Sequence, residues 1–199
     1  ITSSVPRALQ QRLDEYVSVK DFGAKGDGDT AVSIAAATDD TTAIQTAIDE
    51  LFTATDKVDS NSRRGLFFPA GKYKITAALK IPPYAHLVGE GPEKTIIRNS
   101  GATNAVMVTQ DNAKNVGVSI TALVNQIQIS NMTLKNSVAY AGVSMDKVNK
   151  IYFNNCMFEG SYAQGGPDNS NSKGVTVTSS NALQSSHIIF NQCQFTKFA

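Results

Sequence analysis

One eight-residue phrase recurs along this chain. IYFNNCMF (151–158) returns as IIFNQCQF (188–195) and has a fainter forerunner in IQISNMTL (127–134). Each copy reads apolar, any, apolar, then a polar turn rich in Asn, Gln or Ser, then apolar, any, apolar. The copies start 24 and 37 residues apart, and self-similarity near the first length is the mark of a solenoid turn. Within each phrase the apolar positions change parity: Ile151 and Phe153 come before the turn, Cys156 and Phe158 after it. A strand alternates strictly, so one residue in between must turn a corner. Asn155 is placed to do so, because Asn tolerates the left-handed conformation. Asn131 matches it, and Gln192 is a poorer fit.

A second short apolar segment accompanies each phrase: AVMV (105–108), GVSM (142–145) and GVTV (174–177). Each copy therefore has two strands and two bends, and the loops absorb the differences in length. The polar stretch SYAQGGPDNSNS (161–172) is one such loop, bulging from the stack. Stacked like over like, about 4.8 Å apart, these coils form a parallel β-helix. Ile127, Ile151 and Ile188 make one interior column, and Met132, Cys156 and Cys193 another. Asn131, Asn155 and Gln192 form an amide ladder up the corner. Ile151, Phe153, Cys156 and Phe158 are expected to point inward. Cys156 and Cys193 are expected as stacked, reduced neighbours, since parallel side chains orient the sulfurs poorly for a disulfide.

Upstream, the patterning changes. Residues 4–16, SVPRALQQRLDEY, read as a short helix with a Val5, Leu9, Leu13 and Tyr16 stripe; it is too short to hold alone in water and must pack on something. An alternating strand and a Gly/Asp turn follow in VSVKDFGAKGDG (17–28). Gly26-Asp27-Gly28 reads as a tight turn, because the Lys-Ser/Thr of a P-loop and the ligand ladder of an EF-hand are both missing. DDTTAIQTAIDELF (39–52) is the clearest helix, with Ile44, Ala47, Ile48 and Leu51 on one face and Thr38 to Asp40 as caps. Residues 53–65 are a polar loop. From Leu66 the period is two, and short strands run to the end.

Taken together, VKDFGAKGDG, DDTTAIQTAIDE and LFFPAGKYKI resemble the N-terminal signature of the pectate-lyase-like right-handed β-helix proteins. That family includes polygalacturonase-type enzymes and bacteriophage tailspikes. The resemblance implies an all-β solenoid, a right-handed single-stranded parallel β-helix over 17–199. It also implies that the 39–52 helix covers the open N-terminal end, which makes Ile44, Ile48 and Leu51 structural. DTAVSIAAAT (29–38) departs from the pattern and is expected as a surface loop. The 1–16 helix looks like the neck of a phage tailspike, and this favours the phage branch. The implied partners are a host surface polysaccharide, capsule or O-antigen, other virion tail proteins, and sister copies in a homotrimer about an axis parallel to the coil stack, with the 4–16 helices meeting near it. The implied location is the virion tail, acting at the host cell surface. The chain lacks an initiator Met and a cap after Phe195, so it is expected to be a piece of a longer parent with further coils.

The motifs imply no cofactor or metal, and the two cysteines fit neither a zinc knuckle nor a Cys-x-x-Cys site. With 18 Lys+Arg against 17 Asp+Glu, nothing points to nucleic acid, and no apolar run approaches a membrane span. Family members that cut glycans use carboxylates on the outer face of the stack, paired for hydrolysis, or calcium with a basic residue for lysis. In the repeat region the acids are Asp111, Asp146, Glu159 and Asp168. Asp146 and Glu159 end strands and are the catalytic candidates, although a solvated loop acid is the commoner identity for such positions. His86 and His187 have no nucleophile in a recognisable setting, and the polygalacturonase motifs are missing. Three functions stay open: a glycan-depolymerising tailspike, a non-enzymatic receptor-binding β-helix of the virion, and a secreted pectinase-like enzyme.

Overall fold

The computed structural model describes residues 17–28, 33, 35–53, 65–101, 105–109, 124–137, 142–160, 173–178 and 184–197. The neck helix read over 4–16, the 161–172 loop, Asp111 and Asp168 lie outside the described residues.

The chain winds as a right-handed parallel β-helix. Its first coil carries β1 (Val17–Ser18), and its second β2 (Leu66–Phe68), β3 (Gly71–Ile75) and β4 (Leu79–Ile81). The third carries β5 (His86–Gly89), β6 (Thr95–Asn99) and β7 (Met107–Thr109). The fourth has β8 (Val124–Asn136) and β9 (Val143–Asp146), and the fifth β10 (Val148–Glu159) and β11 (Val175–Thr178). β12 (Ser186–Asn191) and β13 (Gln194–Thr196) belong to the sixth. All pairings are parallel, and each strand pairs with its counterpart in the adjoining coils. A coil has three faces rather than two, because the repeated phrase is itself divided at its corner. The first face runs β1–β2–β5–β8–β10–β12, the second β3–β6–β8–β10–β13, and the third β4–β7–β9–β11. The long strands β8 and β10 bend between the first two faces and so belong to both.

The corners explain the bend. Asn131 has φ 58° and Asn155 φ 50°, both left-handed, and Gln192 follows at φ 53° despite its longer side chain. The Asn155 side-chain amide Nδ2 donates to the Asn131 side-chain Oδ1 at 2.9 Å, so the ladder forms between these two coils. One coil earlier the corner is Gly89, where a Cβ would stand 2.2 Å from the Asn131 carbonyl oxygen, so only glycine fits. A second left-handed column precedes the phrase: Tyr84, Gln126, Lys150 and His187, with φ between 53° and 69°. His187 is accordingly an exposed corner residue.

Two long interior columns run through the stack beside the expected ones. Leu66, Leu87, Ile129, Phe153 and Phe190 stand in register on the first face; Tyr73, Ile97, Leu134, Phe158 and Phe195 do so on the second. Ile151, Phe153, Cys156 and Phe158 are each at most 1% exposed. Ile127, Ile151 and Ile188 are register partners, as are Met132 and Cys156. Both cysteines are free thiols. The Cys156 thiol donates to the Ile129 carbonyl and the Cys193 thiol to the Phe153 carbonyl, each at 3.4 Å. Ile129 and Phe153 are register partners, so this is one contact repeated a coil later. A small residue with an S–H donor suits the corner for that reason. Burial pushes the Cys156 pKa up to about 12, which makes it an inert core thiol.

Helix α1 (Thr41–Phe52) covers the N-terminal end, burying Ile44, Ala47, Ile48, Leu51 and Phe52. It also supplies polar groups to an edge strand. Gln45 accepts from the Lys80 N–H at 2.8 Å and donates to the Lys80 carbonyl at 3.2 Å, pairing the free side of β4. An unpaired strand edge invites foreign strands, and Gln45 removes that invitation. The expected capping by Thr38 to Asp40 needs a correction. Asp40 is the N-cap residue but makes no side-chain cap; its buried carboxylate accepts from Lys25 N–H at 2.6 Å and Gly26 N–H at 3.0 Å. Asp40 ties down the turn, while Asp39 accepts from Thr41 N–H at 3.0 Å. At the other end of the stack, Val177, Ile189, Phe190 and Phe195 are 39–48% exposed.

Candidate functional site

Alternation decides which side chains reach the outside. Asp146 ends β9 on the third face, and its side chain is 37% exposed. Its Oδ1 accepts from the Thr178 hydroxyl at 3.1 Å, and Thr178 is its register partner in the next coil. Glu159 ends β10 on the second face, with a side chain 13% exposed. Its Oε1 accepts from Lys135 Nζ at 2.9 Å and Lys197 Nζ at 2.6 Å. Burial alone would raise its pKa; the hydrogen bonds from Lys197 and Lys135 outweigh that and lower it. Glu159 is therefore a carboxylate near neutral pH and is not poised to act as a general acid. The two candidates sit on different faces, and no hydrogen bond or ion pair joins them. As a glycosidase couple they lack a shared bond-cleaving position.

The structure also groups acids that sequence reading placed in a turn and a cap. The Asp27 carboxylate takes the Thr38 N–H at 3.0 Å and its hydroxyl at 2.7 Å. Asp39 takes the hydroxyls of Thr41 and Thr76, each at 2.5 Å, and Asp40 takes the turn amides. The carboxylates are occupied by donors, so this cluster does not offer calcium the open oxygen shell it requires. No set of His, Cys, Asp and Glu among the described residues converges to hold a metal ion. His86 opens β5, half-buried, with its pKa lowered by burial; its register partner is Gln128, not an acid.

One outward file was missed. Lys74, Arg98, Lys135 and Glu159 are successive register partners on the second face. Each directly follows an interior residue: Tyr73, Ile97, Leu134 and Phe158 precede them in turn. The signal was present in the aligned phrases, one position beyond the last apolar residue of each. Lys74 is occupied by the Ala35 and Ala37 carbonyls at 2.8 and 3.0 Å. Arg98 donates through Nε to the Ser137 hydroxyl at 2.8 Å.

The family model described as rhamnogalacturonase A/epimerase, pectate lyase-like, matches residues 16–197. The chain belongs to that family. Among curated relatives, this pectate-lyase-like chain is 38% identical over 91 residues to alginate lyase 7 of Azotobacter vinelandii, covering 42% of this chain and 9% of that protein. It is 36% identical over 85 residues to a probable glucan endo-1,3-beta-glucosidase of Arthroderma benhamiae, covering 43% and 8%. The chain thus spans less than a tenth of the curated relatives it matches. Among solved structures, ORF18 of Geobacillus virus E2 superposes with a TM-score of 0.57 at 26% identity, over 78% of this chain and 30% of that one. The N-terminal fragment of bacteriophage phi29 gene product 12 superposes at 0.51 and 21% identity, over 71% and 21%; at that identity it shows the fold alone. No helix among the described residues is long and apolar enough to cross a membrane.

Proposed function

We propose that this chain is the N-terminal part of the β-helix of a bacteriophage tailspike, which attaches the virion to its host by binding a surface polysaccharide. The observation that carries this reading is the likeness to the viral protein ORF18, at 26% identity and a TM-score of 0.57 over 78% of the chain. The relatives named for alginate and glucan chemistry supply the ligand class. The parallel sheets stack coil on coil along one direction, an elongated shape suited to hold glycan-binding faces away from a virion. In this reading the protein is a homotrimer with its 4–16 helices at the axis, docked on other tail proteins. Sedimentation of a stable monomer at micromolar concentration contradicts the trimer.

In this reading neither Asp146 nor Glu159 performs depolymerisation. Glu159 is clamped by two lysines and Asp146 by Thr178, on separate faces. An antiserum against this chain tests the virion assignment: it should label phage tails and block adsorption. Failure to label intact virions overturns it. Release of reducing ends or unsaturated uronate by the purified chain, abolished by Asp146→Asn or Glu159→Gln, would overturn the non-catalytic part.

A further inference from the structure

We propose that the outer side of the first face is the surface on which a second copy of this chain docks, side by side and parallel. This rests on the reading of the protein as an assembly of sister copies and gives the β-helix a part in holding it.

The register defines the surface. Leu87, Ile129 and Phe153 point into the core, so their neighbours along each strand point out. One outward column runs His86, Gln128, Tyr152 and Ile189 on consecutive coils. The other passes from Phe67 to Val88 and continues in serine and asparagine. Neither column holds a charged side chain. Burial lowers the His86 pKa, so its imidazole is neutral near neutral pH. Phe67, Val88 and Tyr152 are half-buried, and Ile189 is 45% exposed. Polar members of the columns have partners within the chain. The Ser130 hydroxyl donates to the Leu87 carbonyl at 3.5 Å, and the Asn191 side-chain amide donates to Asn154 Oδ1 at 3.4 Å. Groups already bonded in this way lose less when water leaves the surface. Lys150, in the corner column alongside, is a charge at the margin, where interfaces carry their polar rim.

Charge selects the occupant. Rotation about an axis parallel to the stack keeps every coil at its own height, so a column beside that axis meets its own copies. On the second face this would set Lys74, Arg98 and Lys135 against themselves. Like charges brought together across an interface are strongly unfavourable. On the third face Lys80 and Asp146 would each meet their own kind. Among the described residues, the outward columns of the first face are the ones that can meet themselves without such repulsion. Their composition agrees, since interface cores are depleted in charge and enriched in Tyr and Phe.

The test is sedimentation equilibrium of the purified chain and its charge variants. Expected is self-association of the wild-type chain. Gln128→Lys combined with Ile189→Lys, both at exposed positions, should weaken it about tenfold or more, with unchanged far-UV circular dichroism. Gln194→Lys, exposed on the second face, should leave it within about twofold. The same two first-face positions are also changed to the opposite sign, as Gln128→Glu with Ile189→Glu. Each doubly substituted chain alone should associate poorly, and a mixture of the two should recover, because the same column meets itself. A wild-type chain that stays monomeric at micromolar concentration overturns the inference and the assembly reading together. Association untouched by the two lysine substitutions overturns the inference alone and leaves the face to another ligand. An equal loss in Gln194→Lys, or no recovery in the mixture, also overturns it while the assembly reading stands.

Discussion

Phe153 offers the sharpest test of how the stack holds together. It is fully buried, stacks on Phe190 with centroids 5.1 Å apart and planes at 6°, and meets Phe158 edge-on at 5.3 Å. Ile129 lies in register in the coil before. Truncating it removes a large apolar side chain and leaves a cavity between rigid coils that cannot collapse independently. Phe153→Ala should cost about 3–5 kcal/mol, toward the upper end because two aromatic pairs, each about 0.5–1.5 kcal/mol, are lost with it. Phe190 sits one coil further on in the same column but is 39% exposed, and Phe190→Ala should cost about 1–2 kcal/mol. The chain has no Trp, so urea unfolding is best followed by far-UV circular dichroism at fixed protein concentration. A Phe153→Ala cost below about 1 kcal/mol would refute the interior column. Equal costs at the two positions would refute the graded burial along it.

Two further outcomes follow from the corner and the charged file. Asn155→Ala should lower stability by about 1–2 kcal/mol through left-handed strain, and Asn155→Gly should cost less, losing only the bond to Asn131; thermal denaturation that ranks Gly below Ala contradicts the corner. Glu159 has a lowered folded pKa, first opposed by burial and then overcome by Lys197 and Lys135. Its stabilisation is therefore complete above its ordinary value of 4.5 and lost as pH falls through the lower folded value. Glu159→Gln should flatten stability against pH in that acid window, and an unchanged profile counts against the clamp.

Much of the fold was legible because each coil packs on a copy of itself. Asn131 and Asn155 could be read as corners because Asn alone among the phrase residues combines left-handed tolerance with ladder bonding. The other left-handed column was not legible. Tyr84, Gln126, Lys150 and His187 share no side-chain chemistry, and their conformation is imposed by the stack. Nor were Asn99 and Asn136 legible, buried register partners at the end of the second face, because their sequence surroundings read as strand ends. Asp40 read as a cap because local spacing cannot reveal a partner 14–15 residues back. The candidate acids were correctly placed at strand ends. Which faces those strands occupy depends on the third face of the coil, and so the separation of Asp146 from Glu159, and the Lys74–Arg98–Lys135–Glu159 file, emerged only in three dimensions.

Binding of the fluorescently labelled chain to host cells, compared with isogenic cells stripped of surface polysaccharide, addresses the proposed attachment role most directly. Saturable binding to the first and none to the second is the predicted result. Equal binding to both would contradict recognition of a surface glycan by this β-helix.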